Sequence, residues 1–150
     1  MKLTEHFSWD EVTFSETAIR NDINNTPPED LNHNIMRMAR FMEQVRYVVG
    51  GRSIFISSWY RSPELNALIG GSKTSAHMKG LACDCVCPML GSPLRFAQEI
   101  LQSNLDFDQV IHEFGRWVHI GLAEGNRRQA LTAYRKDGKT VYIEGLIEIP

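Results

Sequence analysis

The chain has 150 residues, 43% of them hydrophobic and 23% charged, with a formal net charge of −2. That length suits one domain with a core large enough to need neither disulfides nor a structural metal. The faintly acidic balance lacks the basic stripe of a nucleic-acid binder, and no run of 18 apolar residues is present to span a membrane.

Residues 1–30 are polar and read as an N-terminal arm of a single domain spanning 1–150. Met1–Phe7 has no apolar signal core, and the cysteines number three. Together these predict synthesis in a reducing cytoplasm without a signal peptide. Ser8-Trp9-Asp10-Glu11 and Ser15-Glu16-Thr17-Ala18 are plausible helix starts. Phe7, Trp9, Phe14 and Ile19 are expected to tuck the arm onto the core.

After Pro27-Pro28, the apolar residues Leu31, Ile35, Met38, Met42, Val45 and Val49 recur at three- and four-residue steps, which predicts one buried helical face. Gly50-Gly51 closes that helix. Ser53 to Tyr60 reads as a strand. Ser62-Pro63 starts a short helix with serine as cap and proline at the first position. A loop from Ser72 to Lys79 carries His77, and Leu81 to Cys87 is a strand. Ser92-Pro93 repeats the cap-plus-proline start, for a helix to about Ser103. Phe107–Phe114 and Trp117–Leu122 are strands. A last hairpin joins Gln129–Tyr134 to Thr140–Ile147 through Lys136-Asp137-Gly138-Lys139. Helices come first and strands late. The expected fold is α+β, with a mainly antiparallel sheet packed against the N-terminal helices.

Chemistry concentrates in three residues. His77 and Asp84 are seven apart, too far for one helix face of the His-Glu-x-x-His kind but suited to a loop followed by a strand, with Gly80 allowing the bend. Strand alternation sends Asp84 to one face and Cys83, Cys85 and Cys87 to the other, so the thiols are expected to pack as small hydrophobes. A carboxylate on so apolar a strand needs a partner. With His119, two imidazoles and one carboxylate form the donor set of a catalytic zinc ion with an open fourth position. Glu113 is the candidate general base. A three-residue turn, Gly115-Arg116-Trp117, puts it opposite His119, whereas a two-residue turn puts His112 there; the sequence leaves both open. Arg61, between a strand and a capped helix, is a candidate clamp for a substrate oxyanion. Ser75 is a candidate substrate contact. Gly70–Ser75 is no phosphate loop, because Ser72 stands before Lys73 and the segment follows a helix. His6 and His33 are expected at the surface.

Ser57-x-x-Tyr60-Arg61-Ser62, Asn66, Gly70-Gly71-Ser72, Ser75-x-His77-x-x-Gly80-x-Ala82-x-Asp84 and Trp117-x-His119 together resemble the D-alanyl-D-alanine carboxypeptidase branch of zinc peptidases. That branch includes vancomycin-resistance dipeptidases and bacteriophage endolysins, and its fold core is shared with the hedgehog signalling domain. The resemblance implies one zinc ion at His77, Asp84 and His119, with Glu113 as base and Arg61 at the scissile carbonyl. Several relatives carry the glutamate three residues before the last histidine, where this chain has Arg116. Small phage members often show the longer spacing found here. The resemblance further implies hydrolysis of a peptide bond in peptidoglycan stem peptides or cross-links, by a monomer acting on the cell wall after release, as a phage endolysin does. The alternative is a zinc-holding module of the same fold that binds wall peptides or a phage structural partner without cutting.

Overall fold

The structure is a computed structural model describing residues 1–150. It is α+β, with five α-helices and one mixed six-stranded sheet of order β1-β2-β4-β3-β5-β6. The strands are β1 (Phe55–Ser58), β2 (Ala82–Val86), β3 (Gln109–Glu113), β4 (Trp117–Gly121), β5 (Gln129–Lys136) and β6 (Lys139–Glu144). The chain divides into two compact units, Met1–Glu43 with Ile56–Cys83, and Gln44–Phe55 with Asp84–Pro150.

In the first unit, helix α1 (Trp9–Thr13) starts from a reciprocal cap. The Ser8 hydroxyl accepts from the Glu11 N–H, and the Glu11 carboxylate accepts from the Ser8 N–H at 2.9 Å. At α2 (Glu16–Arg20) the cap is one-way: the Ser15 hydroxyl accepts from the Ala18 N–H. The arm is held by fewer apolar anchors than the sequence suggests. Phe7, Val12 and Ala18 are buried, whereas Phe14 and Ile19 remain exposed, because in helices this short only one or two side chains can turn inward. His6 is exposed, as expected, and engages Glu43. Its Nδ1 lies 2.7 Å from Glu43 Oε1, and its backbone N–H donates to the other carboxylate oxygen. Helix α3 (Asn32–Val48) buries Ile35, Met38 and Met42 completely, as their spacing requires. Ser62 caps α4 (Pro63–Leu68).

In the second unit, α3 ends at Gly50 and Gly51, both left-handed, with the Gly51 N–H returning to the Arg46 carbonyl. Helix α5 (Pro93–Gln102) buries Leu94, Phe96, Ala97 and Ile100 and packs on β3 and β4. Strands β3 and β4 are antiparallel, as are β5 and β6, but β3 and β5 are parallel. The expected mainly antiparallel sheet thus carries one parallel pair. Here residues 122–128 hop across the start of β3, so β5 lands on its far side. That is two strand spacings of about 4.8 Å each, a distance a short loop covers easily. Asp108 pins the hop: its carboxylate accepts two hydrogen bonds from the Arg127 guanidinium, both at 2.9 Å, and a third from the Arg127 N–H. The guanidinium holds the Asp108 carboxyl below the usual carboxylate range. Asp137 and Gly138 both adopt positive φ, as the two-residue hairpin turn between β5 and β6 demands.

Candidate metal centre

His77 sits in a 3-10 turn, Ala76–Lys79, where a plain loop was expected. The Ser75 hydroxyl accepts from the His77 N–H at 3.2 Å and caps that turn. Gly80 ends it at φ 73, a conformation that suits glycine, and a Cβ there would stand 2.7 Å from Ile35 Cγ1. The imidazole is 2% exposed, and its Nδ1 lies 2.6 Å from the Trp59 carbonyl oxygen. That carbonyl fixes Nδ1 as the protonated nitrogen and leaves Nε2 as the donor for a metal. Trp59 is itself buried, and its indole N–H donates to the Gly80 carbonyl. One tryptophan thus orients the imidazole and closes the turn that carries it.

Arg61 follows directly. Its backbone N–H donates to the His77 carbonyl at 3.2 Å, and its Nε donates to Ser58 Oγ at 3.1 Å. It borders an open cavity of about 390 Å³ that also touches Phe14, Ser57, Leu65 and Ile69. The residues before and after Arg61 are held by Asn25, which sequence reasoning passed over. The buried Asn25 amide donates to the carbonyls of Thr13 and Tyr60, and its oxygen accepts from the Ser62 N–H at 2.8 Å. Replacing Asn25 with alanine leaves that buried N–H unmatched. We expect a loss of about 1–3 kcal/mol in denaturant unfolding, with a weaker grip of the arm on Arg61. Asn66 does similar work nearby. Its side-chain amide donates to the Ser72 carbonyl, and a Cβ at Gly71 would collide with it. This accounts for Asn66 and the Gly71-Ser72 pair as a locked exit from α4.

In the second unit, β2 is buried along its length. Cys83, Cys85 and Cys87 form no disulfide and are buried in the core, as expected. Burial pushes the Cys85 thiol well above its ordinary range, and the Asp84 charge adds to this. Asp84 is 5% exposed, and its Oδ1 lies 2.9 Å from His119 Nδ1. The β3–β4 register pairs Glu113 with Trp117, His112 with Val118 and Ile111 with His119. Glu113 is therefore on the same face as His119 but one step diagonal to it; Ile111 stands directly opposite. The three residues between the paired ends are Phe114, Gly115 and Arg116, with Phe114 and Gly115 both at positive φ. Glu113 Oε1 lies 3.8 Å from His119 Nδ1 and accepts from the Trp117 indole N–H at 3.3 Å. His112 faces the other way, its Nδ1 donating to the Ile147 carbonyl at 3.0 Å. His33 is exposed, as expected.

One ligand atom from each of His77, Asp84 and His119 lies within 4.8 Å of the others. Two nitrogens and one carboxylate oxygen fit zinc with a coordination place left over. The Trp59 carbonyl behind His77 is the outer partner that a metal-bound imidazole normally has. Sequence reasoning missed Trp59 in that role, because a backbone carbonyl carries no residue-type signal. It also missed Tyr142 on β6. Burial and the charges of Glu113 and Asp84 raise that phenol above its ordinary range.

A family model described as Peptidase M15 matches residues 5–121, and this chain belongs to that family. Its members are zinc-dependent peptidases of the D-Ala-D-Ala carboxypeptidase type, consistent with the α+β fold and the His77, Asp84, His119 group. No curated protein matches the chain. No helix is long and apolar enough to cross a membrane.

Proposed function

We propose that this chain is a zinc peptidase that hydrolyses a peptide bond in bacterial peptidoglycan stem peptides or cross-links, as an endopeptidase or a D-Ala-D-Ala carboxypeptidase, in phage or prophage lysis. The reading rests most heavily on the grouping of His77, Asp84 and His119 in a chain of this peptidase family. A bound zinc ion supplies a Lewis acid that polarises the scissile carbonyl and lowers the pKa of a water molecule.

The chain's own residues do the rest. His119 Nδ1 and Asp84 Oδ1, 2.9 Å apart, would hold the ion together with His77. The Glu113 carboxylate accepts a proton from the attacking water as its oxygen bonds to the carbonyl carbon. Glu113 then passes the proton to the departing amine nitrogen as the C–N bond breaks. The 3.8 Å separation from His119 Nδ1 and the Trp117 hydrogen bond support that role. Arg61 donates to the carbonyl oxygen as negative charge grows there, and Ser75 borders the substrate. The test is digestion of purified sacculi. We expect soluble peptide fragments from the zinc-loaded protein, none after chelation, and recovery on adding zinc back. Zinc-loaded protein that leaves sacculi intact would refute the assignment.

A further inference from the structure

The β-ladder aligns four residues in one row across the sheet. Trp117 pairs with Glu113, Glu113 with Ala133, and Ala133 with Tyr142. Residues paired across neighbouring strands point to the same face, so all four stand with His119. Ala133 is fully buried, and its methyl group is the smallest side chain that can separate a glutamate from a tyrosine there. Adjacent strands are about 4.8 Å apart, so β6 lies roughly 10 Å from β3. That spacing lets a phenol leaning from one side and a carboxylate from the other approach each other above the alanine. Burial, with the negative charges of Glu113 and Asp84, raises the Tyr142 phenol above its ordinary range. Even so, Tyr142 keeps 56% of its surface open, on a strand that has no further neighbour beyond it. A neutral phenol is well suited to stand beside two carboxylates and still offer a proton to a third group.

Moving along the sheet from β4 to β6 leads from His119 past Glu113 to Tyr142. Glu113 hands its proton to the departing amine, so whatever lies beyond Glu113 borders the amine-side half of the substrate. We infer that Tyr142 is a substrate-contacting residue whose phenolic O–H donates a hydrogen bond to a carbonyl or carboxylate oxygen of the residue on the leaving-amine side of the cleaved bond. The inference rests on the peptidase reading above and adds to it the chemistry of one subsite. The substrate presents an oxygen acceptor just beyond its scissile nitrogen, and the final hairpin, outside the matched residues 5–121, takes part in recognition.

Tyr142→Phe removes the hydroxyl and keeps the ring. The probe is a peptidoglycan-derived, cross-linked disaccharide-peptide dimer. In zinc-loaded Glu113→Gln protein, which binds without turnover, adding Tyr142→Phe should weaken calorimetric binding of the dimer about 5–10-fold, the scale of one neutral hydrogen bond. In the otherwise unaltered enzyme the same change should lower kcat/KM by a similar factor, chiefly through KM, with zinc content and melting temperature unchanged. Equal binding and equal KM with and without the hydroxyl would overturn the assignment. So would loss of zinc from Tyr142→Phe, which would place the phenol on the metal ligands instead of the substrate. An unaltered protein that cleaves nothing would sink the peptidase reading and this subsite with it, whereas an active protein indifferent to Tyr142→Phe would sink the subsite alone.

Discussion

Glu113→Gln should retain zinc at the level of the unaltered protein and lose about 10²–10⁴ in turnover on sacculi, the range associated with a positioned general base. The substitution keeps the side chain's length and an oxygen that can accept from the Trp117 indole at the same site, so the hairpin has no reason to move. What disappears is the ability to take a proton. Metal analysis and a fragment-release assay on the same preparation read the two quantities independently. Zinc lost in parallel with activity would make Glu113 a ligand. Undiminished turnover would leave the proton step without its assigned carrier, and His112 is poorly placed to replace it, since it lies on the opposite face with its Nδ1 on Ile147.

His77→Ala should abolish both metal retention and fragment release. Two donors, Asp84 and His119, would remain, and two protein ligands are fewer than a catalytic zinc site normally has. The substitution also strips the Trp59 carbonyl of its partner inside a buried turn, at a cost of about 1–3 kcal/mol. A lower melting temperature should therefore accompany the loss of metal. The melting shift alone would not explain inactivity if the variant is still folded at the assay temperature. His77→Ala that holds zinc as tightly as the unaltered protein would remove His77 from the ligand set.

Much of this architecture can be read locally. Ser62-Pro63 and Ser92-Pro93 start helices because a hydroxyl cap and a fixed φ act on their immediate neighbours. Asp137-Gly138 turns the last hairpin because both positions take positive φ. The grouping of His77, Asp84 and His119 was legible from the Ser75-x-His77-x-x-Gly80-x-Ala82-x-Asp84 string and the later Trp117-x-His119. The position of Glu113 was not. It depends on how many residues the β3–β4 turn uses, and that count is set partly by Phe114, a bulky residue at positive φ whose sequence identity gives no hint of it. The Glu113–Ala133–Tyr142 row was beyond reach for a different reason. It needs β5 to cross over β3, a non-local choice fixed by Asp108 holding Arg127 on the connecting loop.

The two imidazoles are not equivalent partners. His77 has its Nδ1 committed to the Trp59 carbonyl, which leaves its far nitrogen for an ion, whereas the His119 nitrogen nearest its own backbone lies beside Asp84. A glutamine reaches about as far as the first and an asparagine about as far as the second. If both histidines hold the ion as proposed, each position would accept a different amide surrogate, and a designer swapping both for the same residue would satisfy one half of the cage while leaving the other short or overlong.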